Sequence, residues 1–538
     1  MKSRQLGGLS LISWLILLAS LSITRCVAQT SEPRPDSNLI LELAKDLLEK
    51  TTTVEVQVTL EGNFKDFRIA SERSDNKASR LAQQNQARTV AEACREALKS
   101  DPNNAELHFD LSLALARLDD SEVAMEELGS AIRLDPNLEK ARNVLGIWLM
   151  VNGEAGKAED EFRAVIAADP QFAEAKNNLA VLYGRKGRNA EAIDLLHMAL
   201  EGRPRYAQAR VNLGLVLAAE GKYSEAEKEL RNALRVSPNS VGANSALAMV
   251  AVRLGRTDQA IDIFRKVIQL APDSALAHLN LGMALQRDGF DLPGALAQLS
   301  EAIRLNPASA TGYYEKGRVL YDLGRRQEAR AELETACRLQ PDYPDALYLL
   351  AQVERQFGNI QRSADVLDNL VALEPGNSQA QHLFGQNLLL LGKTAEGIHH
   401  LQIAVSASPE NLEAIYSLAQ ALNSAGNPEG KLYLERFEEL KRQREIDDRI
   451  QHLGSYGLEA AGGRDWPRAV LDFKEAIELC GNCASLEDLH RNLGLIYILM
   501  GDPKEGRREL ELALSIRPGD ADARRALEAI DTEKSPPN

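Results

Sequence analysis

Prolines recur along this chain at an almost constant interval. Ten of them follow one another with a period of about 34 residues, the length of a helix–turn–helix repeat, and one step is longer by a single residue. They are Pro102, Pro136, Pro170, Pro204, Pro238, Pro272, Pro307, Pro341, Pro375 and Pro409. Random placement does not maintain such an interval. The spacing predicts a row of α-hairpins, each of which buries its apolar side against its neighbours.

Small and large apolar residues recur in phase with the prolines. If each proline is position 32 of a repeat, position 8 is Gly, Ala or Ser in all ten repeats, and position 20 is Ala in the first five. Position 24 holds large apolar residues such as Leu128, Phe162 and Phe264. Two helices that cross closely need small residues at the crossing and large residues around it. The two helices of each repeat are therefore predicted to pack face to face.

Residues at the repeat boundaries predict where helices begin and end. Glycines that can close the first helix are Gly153, Gly187, Gly221, Gly255 and Gly324. The proline then ends the second helix, because the residue before a proline leaves the helical conformation. Side chains expected to cap the next helix are Asn104, Ser240, Ser274 and Asn411. Phe172, Tyr206 and Tyr343 occupy the same position and are expected to pack there instead.

Two groups of residues show which kind of helical repeat this is. The first helix carries Asn178, Leu179, Ala180 and Tyr183, and again Asn212, Leu213 and Gly214. The second helix carries Ala192, Leu196 and Ala199 ahead of Pro204. Over residues 105–520 this pattern resembles the tetratricopeptide repeat family, and in particular its exported bacterial members. The resemblance implies an all-α fold, a right-handed α-solenoid superhelix of about twelve helix–turn–helix repeats.

The repeat pattern has two irregular places. The sixth repeat has one extra residue, between Phe290 and Pro293. The tenth repeat has Lys431 at position 20, where a small residue is expected, and residues 432–450 form a charged run. This run is expected to be a longer helix, with a kink or a break in the stacking.

The predicted domain organisation follows from these patterns. Residues 29–70 form a leader with a short helix over 38–50 and a strand over 51–60, which either pairs with a partner chain or folds back as a small cap. The remaining segments are a signal peptide at 1–28, a degenerate half-repeat at 71–104, repeats 1–10 at 105–449, repeats 11–12 with a capping helix at 450–531, and a disordered tail at 532–538.

The segment 1–28 has the features of an export signal. Lys2 and Arg4 precede an apolar run from Leu9 to Ile23, which is short for a membrane span. Small residues stand at the positions that a signal peptidase reads, Cys26 and Ala28. Cleavage after Ala28 is predicted, with a periplasmic or extracellular protein and no membrane span after cleavage as the result. An uncleaved anchor or a lipid on Cys26 is the alternative.

The charge and the motifs exclude several classes of function. The formal net charge is −15, which opposes binding to phosphate backbones and argues against nucleic acid as a partner. Catalytic motifs such as His-Glu-x-x-His and Gly-x-Ser-x-Gly do not occur in the sequence. We therefore predict a protein that is not an enzyme and holds no cofactor. The adjacent His399 and His400 point in two directions on a helix, and no acid follows them or His382 at i+4 spacing to complete a ligand set, so no metal site is predicted.

Cys480 and Cys483 form the one redox-like motif of the chain. Their place at a helix end deprives a thiolate of the stabilisation that a helix N-terminus gives. In an exported protein, a short structural disulfide is the preferred interpretation over a redox site. The other cysteines beyond the signal, Cys94 and Cys337, are expected to be small buried apolar residues.

The resemblance also implies a binding groove. In the family, the first helices line a concave groove through positions 2, 5, 9 and 12, with position 6 at its edge. The aromatic and polar residues at these positions in repeats seven to ten are Tyr314, Arg318, Tyr321, Tyr348, Gln352, Arg355, His382, Gln386, Tyr416, Gln420 and Asn423. Earlier repeats place there Lys140, Asn143, Asn177, Asn178, Asn212 and Asn280, which suit an extended peptide backbone.

Two functions are compatible with such a groove. The first is a scaffold that binds partner proteins or extended peptides through tyrosine and arginine side chains. The alternative is an exported component of polysaccharide export or envelope assembly that binds a glycan or a synthase. Tyr314, Tyr348 and Tyr416 would then stack on sugar rings. The structural alternative is that these tyrosines and asparagines only pack between repeats.

Overall fold

The computed structural model describes residues 56–57, 68–69, 77–289 and 291–533 of the chain. Two strands, β1 (Val56–Gln57) and β2 (Arg68–Ile69), pair antiparallel with Val56 opposite Ile69. The predicted strand over 51–60 therefore pairs within the chain where it is described. The predicted signal peptide, the helix over 38–50 and residues 534–538 of the tail lie outside the described residues.

All other regular structure in the described part of the chain is helical. The helices are α1 (Lys77–Ser100), α2 (Ala105–Arg117), α3 (Ser121–Leu134), α4 (Glu139–Val151), α5 (Ala155–Ala168), α6 (Ala173–Arg185), α7 (Asn189–Gly202), α8 (Ala207–Ala219), α9 (Tyr223–Val236), α10 (Val241–Arg253), α11 (Thr257–Leu270), α12 (Ala275–Gln286), α13 (Leu292–Leu305), α14 (Ala310–Asp322), α15 (Arg326–Leu339), α16 (Pro344–Gln356), α17 (Ile360–Leu373), α18 (Ser378–Leu390), α19 (Thr394–Ala407), α20 (Leu412–Ser424), α21 (Glu429–Gly462), α22 (Trp466–Cys480), α23 (Leu486–Leu499), α24 (Pro503–Ile516) and α25 (Ala521–Glu533). The predicted all-α fold is confirmed. The chain divides into two compact units, unit 1 up to Pro341 and unit 2 from Asp342.

The small residue at position 8 permits close packing within each hairpin. A Cβ atom placed on Gly146 would lie 2.6 Å from the ring of Phe162, and one on Gly214 would lie 2.7 Å from Leu230. Phe162 and Leu230 are fully buried. The first helix therefore approaches the second so closely that the position 24 side chain fills the space where a position 8 side chain would stand.

The turns and caps form as the sequence predicts. Gly153 ends α4 with φ of 83°, a conformation that costs glycine little, and the predicted glycines of the other turns share it. Asn104 accepts a hydrogen bond from the Leu107 amide, which caps α2. Ser240, Ser274 and Asn411 cap their helices in the same way.

In unit 1, the successive hairpins from α4 to α13 share one apolar core. Phe162, Leu196, Leu230 and Phe264 belong to a single buried cluster that continues through the intervening first helices. A hairpin of this size cannot bury its own apolar side, so the neighbouring repeats complete its core.

Unit 2 contains one unusually long helix, α21, that belongs to two repeats at once. The predicted boundary between residues 449 and 450 lies inside this helix, which is continuous and has no break. Its first half packs through Phe437 on the core of α19 and α20, and its second half packs through Ile450 and Leu453 on the core of α22 and α23. A small residue was expected at position 20, where Lys431 stands. The neighbouring Gly430 takes this place instead and is buried against Asn423.

The C-terminal helix α25 closes unit 2. Ala523 and Ile530 are buried with Leu510 of α24, while Arg525 faces solvent. A buried inner side and a charged outer side are what a terminal capping helix needs, and the capping role of this segment stays a prediction. Among the helices of residues 77–289 and 291–533, none has both the length and the hydrophobicity that crossing a bilayer requires.

Candidate functional site

The predicted asparagines of unit 1 form a chain of hydrogen bonds between first helices. Asn178 on α6 donates to Asn143 on α4 at 3.0 Å, and Asn212 on α8 donates to Asn177 at 2.8 Å. Asn177 donates to Asn178 at 3.2 Å and closes the chain. The amides thus join three successive repeats, and all but Asn178 are buried. Some of the amide groups that could bond a peptide backbone are therefore already bonded to one another within the protein.

Two other predicted residues of unit 1 lie outside this chain of amides. Asn280 is buried on α12, two repeats beyond Asn212. Lys140 on α4 is half-buried and lies close enough to Asp110 to lower the pKa of that carboxyl, although burial outweighs this effect.

In the seventh repeat, the predicted trio on α14 is mostly engaged in packing and ion pairing. Tyr314 is buried, and the Arg318 guanidinium lies 5.7 Å from the centre of its ring. Arg318 also pairs with the buried carboxylate of Glu315 at 3.2 Å. Tyr321 is half-buried. Packing therefore accounts for Tyr314, as the structural alternative expects.

In unit 2, a polar row crosses three first helices. Arg355 on α16 donates to Gln386 Oε1 on α18 at 2.6 Å. The Gln386 amide donates to His382 Nε2 at 2.9 Å and to Ser417 Oγ on α20 at 3.1 Å, and His382 Nε2 lies 2.9 Å from Ser417 Oγ. All four side chains are partly exposed. We call Arg355, Gln386, His382 and Ser417 the polar row.

Electrostatics in the polar row are dominated by partial burial. Burial lowers the pKa of the Arg355 guanidinium, and the electrostatic effect of the nearby Tyr348 acts in the opposite direction. Burial also lowers the pKa of His382, while the charge of Glu413 acts to raise it and the charge of Arg355 acts to lower it. A neutral His382 can accept the Gln386 hydrogen bond, so the pKa direction agrees with the geometry.

Beyond the polar row, the tenth repeat offers exposed side chains. Tyr416 is 41% exposed and packs on the Phe437 ring at a centroid distance of 5.0 Å. Gln420 and Asn423 are exposed on the same helix, and Gln352 of the eighth repeat is half-buried. Unit 2 therefore carries the more accessible of the predicted groove residues.

The remaining residues considered for metal binding or redox chemistry are histidines and cysteines. His400 Nδ1 lies 2.6 Å from Gln381 Oε1, and its ring packs on Phe384. Over the ranges that the structure describes, no group of three His, Cys, Asp or Glu side chains is placed to hold a metal ion. Cys480 and Cys483 are joined in a disulfide at the end of α22. Cys94 is buried, as expected, and Cys337 is half-buried.

A recurring contact that the sequence analysis missed involves position 4. Arg210 donates to Glu229 Oε2 on the second helix at 2.7 Å and to the carbonyl of Pro204 at 2.8 Å. The same two kinds of contact are made by His108, Arg142 and His278. A polar residue at position 4, followed 19 residues later by an acid, or 20 residues later by an amide in the sixth repeat with its extra residue, was the available signal. The position 4 side chain therefore joins its own first helix to the second helix of the repeat and to the turn that precedes the repeat.

Comparisons with known proteins agree with the repeat. Tetratricopeptide repeat family models match residues 76–139, 144–208, 183–241, 279–344 and 314–378, then 217–285, and finally 489–520. Together these matches cover more than half of the chain. No curated protein matches the chain in sequence.

Several solved structures are similar to parts of the chain. The tetratricopeptide repeat protein YrrB, described as having an unusual peptide-binding site, is 26% identical, with a TM-score of 0.29 over 35% of this chain and 95% of its own. PilF of Pseudomonas aeruginosa is 21% identical, with a TM-score of 0.36 over 41% of this chain and 96% of its own. The Cut9–Hcn1 hetero-tetramer of the APC/C gives 14% identity and a TM-score of 0.37, over 84% of this chain and 95% of that chain.

The family assignment rests on the family models together with the repeat geometry. In most of the matched segments a small residue at position 8 packs on position 24, and a left-handed glycine closes the first helix. This chain belongs to the tetratricopeptide repeat family.

Proposed function

We propose that this protein is a non-enzymatic scaffold that binds partner proteins or extended peptides on the first-helix faces of its repeats. The observation that carries the proposal is the polar row of unit 2, in which consecutive first helices present partly exposed and mutually oriented side chains. Side chains held in place by one another lose little conformational freedom when a partner binds, which favours affinity.

The residue types of unit 2 support a macromolecular partner. Arginine and tyrosine contribute most to protein interfaces, because they combine a large contact area with a polar group. Arg355 and Tyr348 lie on α16 within two turns of each other, and Tyr416 is exposed two repeats further along. Amide side chains such as Gln352 and Gln420 can bond a peptide backbone between these anchors.

The strongly perturbed carboxyls do not support catalysis. The pKa of Asp110 is raised to about 8 and that of Glu487 to about 7, both chiefly because of burial. Glu487 pairs with Arg517 at 2.9 Å and belongs to an ion-pair group with Arg491 and Asp520. Perturbed pKa values also arise in buried carboxyls and structural ion pairs that have no catalytic role.

Export to an oxidising compartment is part of the proposal. It is based on the signal-like segment 1–28 and is supported by the Cys480–Cys483 disulfide, because such bonds persist outside the reducing cytosol. A role in polysaccharide export or envelope assembly stays a prediction from the sequence. Of the three tyrosines that it needs, Tyr416 alone is more than a third exposed, and its ring packs on Phe437.

Replacing both Tyr348 and Arg355 with alanine tests the scaffold function. We expect the double variant to lose the partners that co-purify with the full chain from its native envelope by about tenfold or more, because anchor residues each contribute on the order of 2 kcal/mol. Quantitative mass spectrometry of the affinity-purified protein measures this loss.

The matched control replaces Gln361 and Asp365, which are exposed on the second helix of the same repeat. This pair of changes should leave the partners bound. Retention of every partner by the Tyr348→Ala, Arg355→Ala variant would show that the first-helix face of unit 2 is not the binding surface.

A further inference from the structure

In unit 1, helix α10 is buried on the side that was expected to face a binding groove. Ten of its thirteen residues are buried, among them Met249 at repeat position 9 and Val252 at position 12. In unit 2, position 9 of the first helix keeps part or all of its exposure at Gln352, Gln386 and Gln420. Because first helices have the same kinds of helical neighbours in every repeat, this contrast indicates that a further element covers α10.

The neighbouring first helix, α8, is buried in the same way. Val211 at position 5 is 3% exposed, and Leu215 at position 9 is fully buried. Their equivalents on α20, Tyr416 and Gln420, are both exposed. Helices α8 and α10 contact each other and share one apolar cluster. We call the following four residues the apolar face of unit 1: Val211, Leu215, Met249 and Val252.

Strand β1 contacts α10 and belongs to a hairpin with one apolar side. Val56 stands directly opposite Ile69, so these two side chains share one side of the hairpin. Gln57 and Arg68 form the next pair and lie on the other side, because successive side chains of a strand alternate. A two-stranded hairpin is marginally stable in water, so its apolar side needs a surface to cover it.

The sequence around β1 extends the apolar side of the hairpin. Val54, Val58 and Leu60 continue the alternation of Val56, with Glu55 and Gln57 between them. An apolar strand of this kind matches the apolar face of unit 1 in chemistry, since neither surface offers a charge. Residues 70–76 are all that separate β2 from α1. A segment on so short a tether has an effective concentration on the order of millimolar, which favours it over a free competitor.

We infer that the apolar face of unit 1 is the docking surface of the chain's own β1–β2 hairpin. The hairpin covers α10 with Val56 and Ile69 and presents Gln57 and Arg68 outwards. This docking does not depend on the proposed function. Its consequence does rest on that function: a partner that uses the first helices of unit 1 must first displace the hairpin, whereas the first helices of unit 2 are accessible without this step.

Thiol labelling of the full chain tests the docking. Met249→Cys places a thiol on the apolar face, and Val56→Asp with Ile69→Asp places two charges on the apolar side of the hairpin. Mass spectrometry of the peptide that carries position 249 quantifies its modification by a maleimide, so the native cysteines do not interfere. We expect the charged hairpin to raise the labelling rate about tenfold or more, because it removes two apolar side chains from the docking contact.

Two matched controls accompany this measurement. Val250→Cys places the thiol at position 10, where Val353 and Asn387 of unit 2 are fully buried as well, so helices alone cover this position. Its labelling should stay slow with either hairpin. Gln57→Asp with Arg68→Asp adds charge to the polar side of the hairpin, and the Met249→Cys thiol should stay protected in that variant.

The outcomes decide the inference without reference to any partner. Equal labelling of the Met249→Cys thiol with the native and the charged hairpin overturns it, because the hairpin is then not what covers α10. Faster labelling of both the Met249→Cys and the Val250→Cys thiols overturns it as well, since α10 would then need the hairpin to stay folded. If no partner co-purifies with the full chain, the scaffold function fails, and the docking of the hairpin still stands on the labelling result.

Discussion

Replacing Phe162 with alanine is expected to destabilise unit 1 by about 3–5 kcal/mol. Phe162 is fully buried, and its ring occupies the space above Gly146 where no side chain of α4 can reach. Alanine would leave a cavity that a glycine cannot fill from the opposite helix. Amide hydrogen exchange of α4 and α5 in the full chain measures the effect locally, which suits a repeat protein in which regions can open separately.

Phe162→Leu is the matched control for this prediction. Leucine occupies the same repeat position at Leu128, Leu196 and Leu230, and all three are buried. The leucine variant should therefore lose much less of the free energy of unfolding than the alanine variant. If both variants exchange at the wild-type rate, Phe162 does not hold the two helices together as the structure indicates.

The second large effect concerns the pH dependence of unit 1. Asp110 on α2 is 2% exposed, and neither of its carboxylate oxygens has a hydrogen-bond partner among the described residues. Burial, together with repulsion from Glu106, raises its pKa from 3.8 to about 8. Between these values the folded protein keeps a proton that the unfolded chain has released. The free energy of unfolding therefore falls as the pH rises from about 4 to about 8.

The Asp110→Asn variant isolates this contribution. Each pH unit in the window changes the free energy of unfolding by about 1.4 kcal/mol, so the wild type should lose about 4 kcal/mol between pH 5 and pH 8 through Asp110. The asparagine side chain of the variant does not titrate, so this fall in the free energy of unfolding should disappear. The variant should be more stable than the wild type at pH 8 but not at pH 5. Denaturant unfolding of unit 1, followed by exchange of the α2 amides, measures the difference.

The exposed Asp194 supplies the control, because Asp194→Asn should leave the pH dependence unchanged. A wild-type protein whose α2 amides are equally protected at pH 5 and pH 8 would contradict the burial of an unpaired Asp110.

The repeat was predictable from the sequence because its determinants are local and recur. Gly214 and Leu230 have the same separation in sequence as Gly146 and Phe162, so the repeat period reveals the pair without any knowledge of the fold. Gly153 and the cap at Asn104 were predictable for the same reason, since a turn or a cap depends on a few neighbouring residues.

The features that the sequence did not reveal depend on contacts across repeats. The polar row joins side chains that are about one repeat apart, and the orientation of Gln386 between Arg355 and His382 cannot be inferred from any single helix. The continuous helix α21 is another example. The repeat pattern places a boundary after residue 449, but no glycine or proline stands there to end the helix.

The degree of burial was equally hard to predict. Tyr314 and Tyr416 hold the same repeat position, yet Tyr314 is buried and Tyr416 is 41% exposed. Accessibility at a given position is decided by the neighbouring helices, which differ between the two repeats.

Site-specific photo-cross-linking tests the central claim, that partners bind on the first helices, most directly. A photoreactive phenylalanine analogue would replace Gln420 or Asn423 on α20 and, in separate variants, Gln361 or Asp365 on α17. All four residues are exposed. The two sets therefore match in accessibility and differ in whether they lie on a first helix or a second helix. The account predicts cross-linked partner protein from the α20 positions and little or none from the α17 positions. Equal adducts at both sets, or adducts from α17 alone, would contradict it.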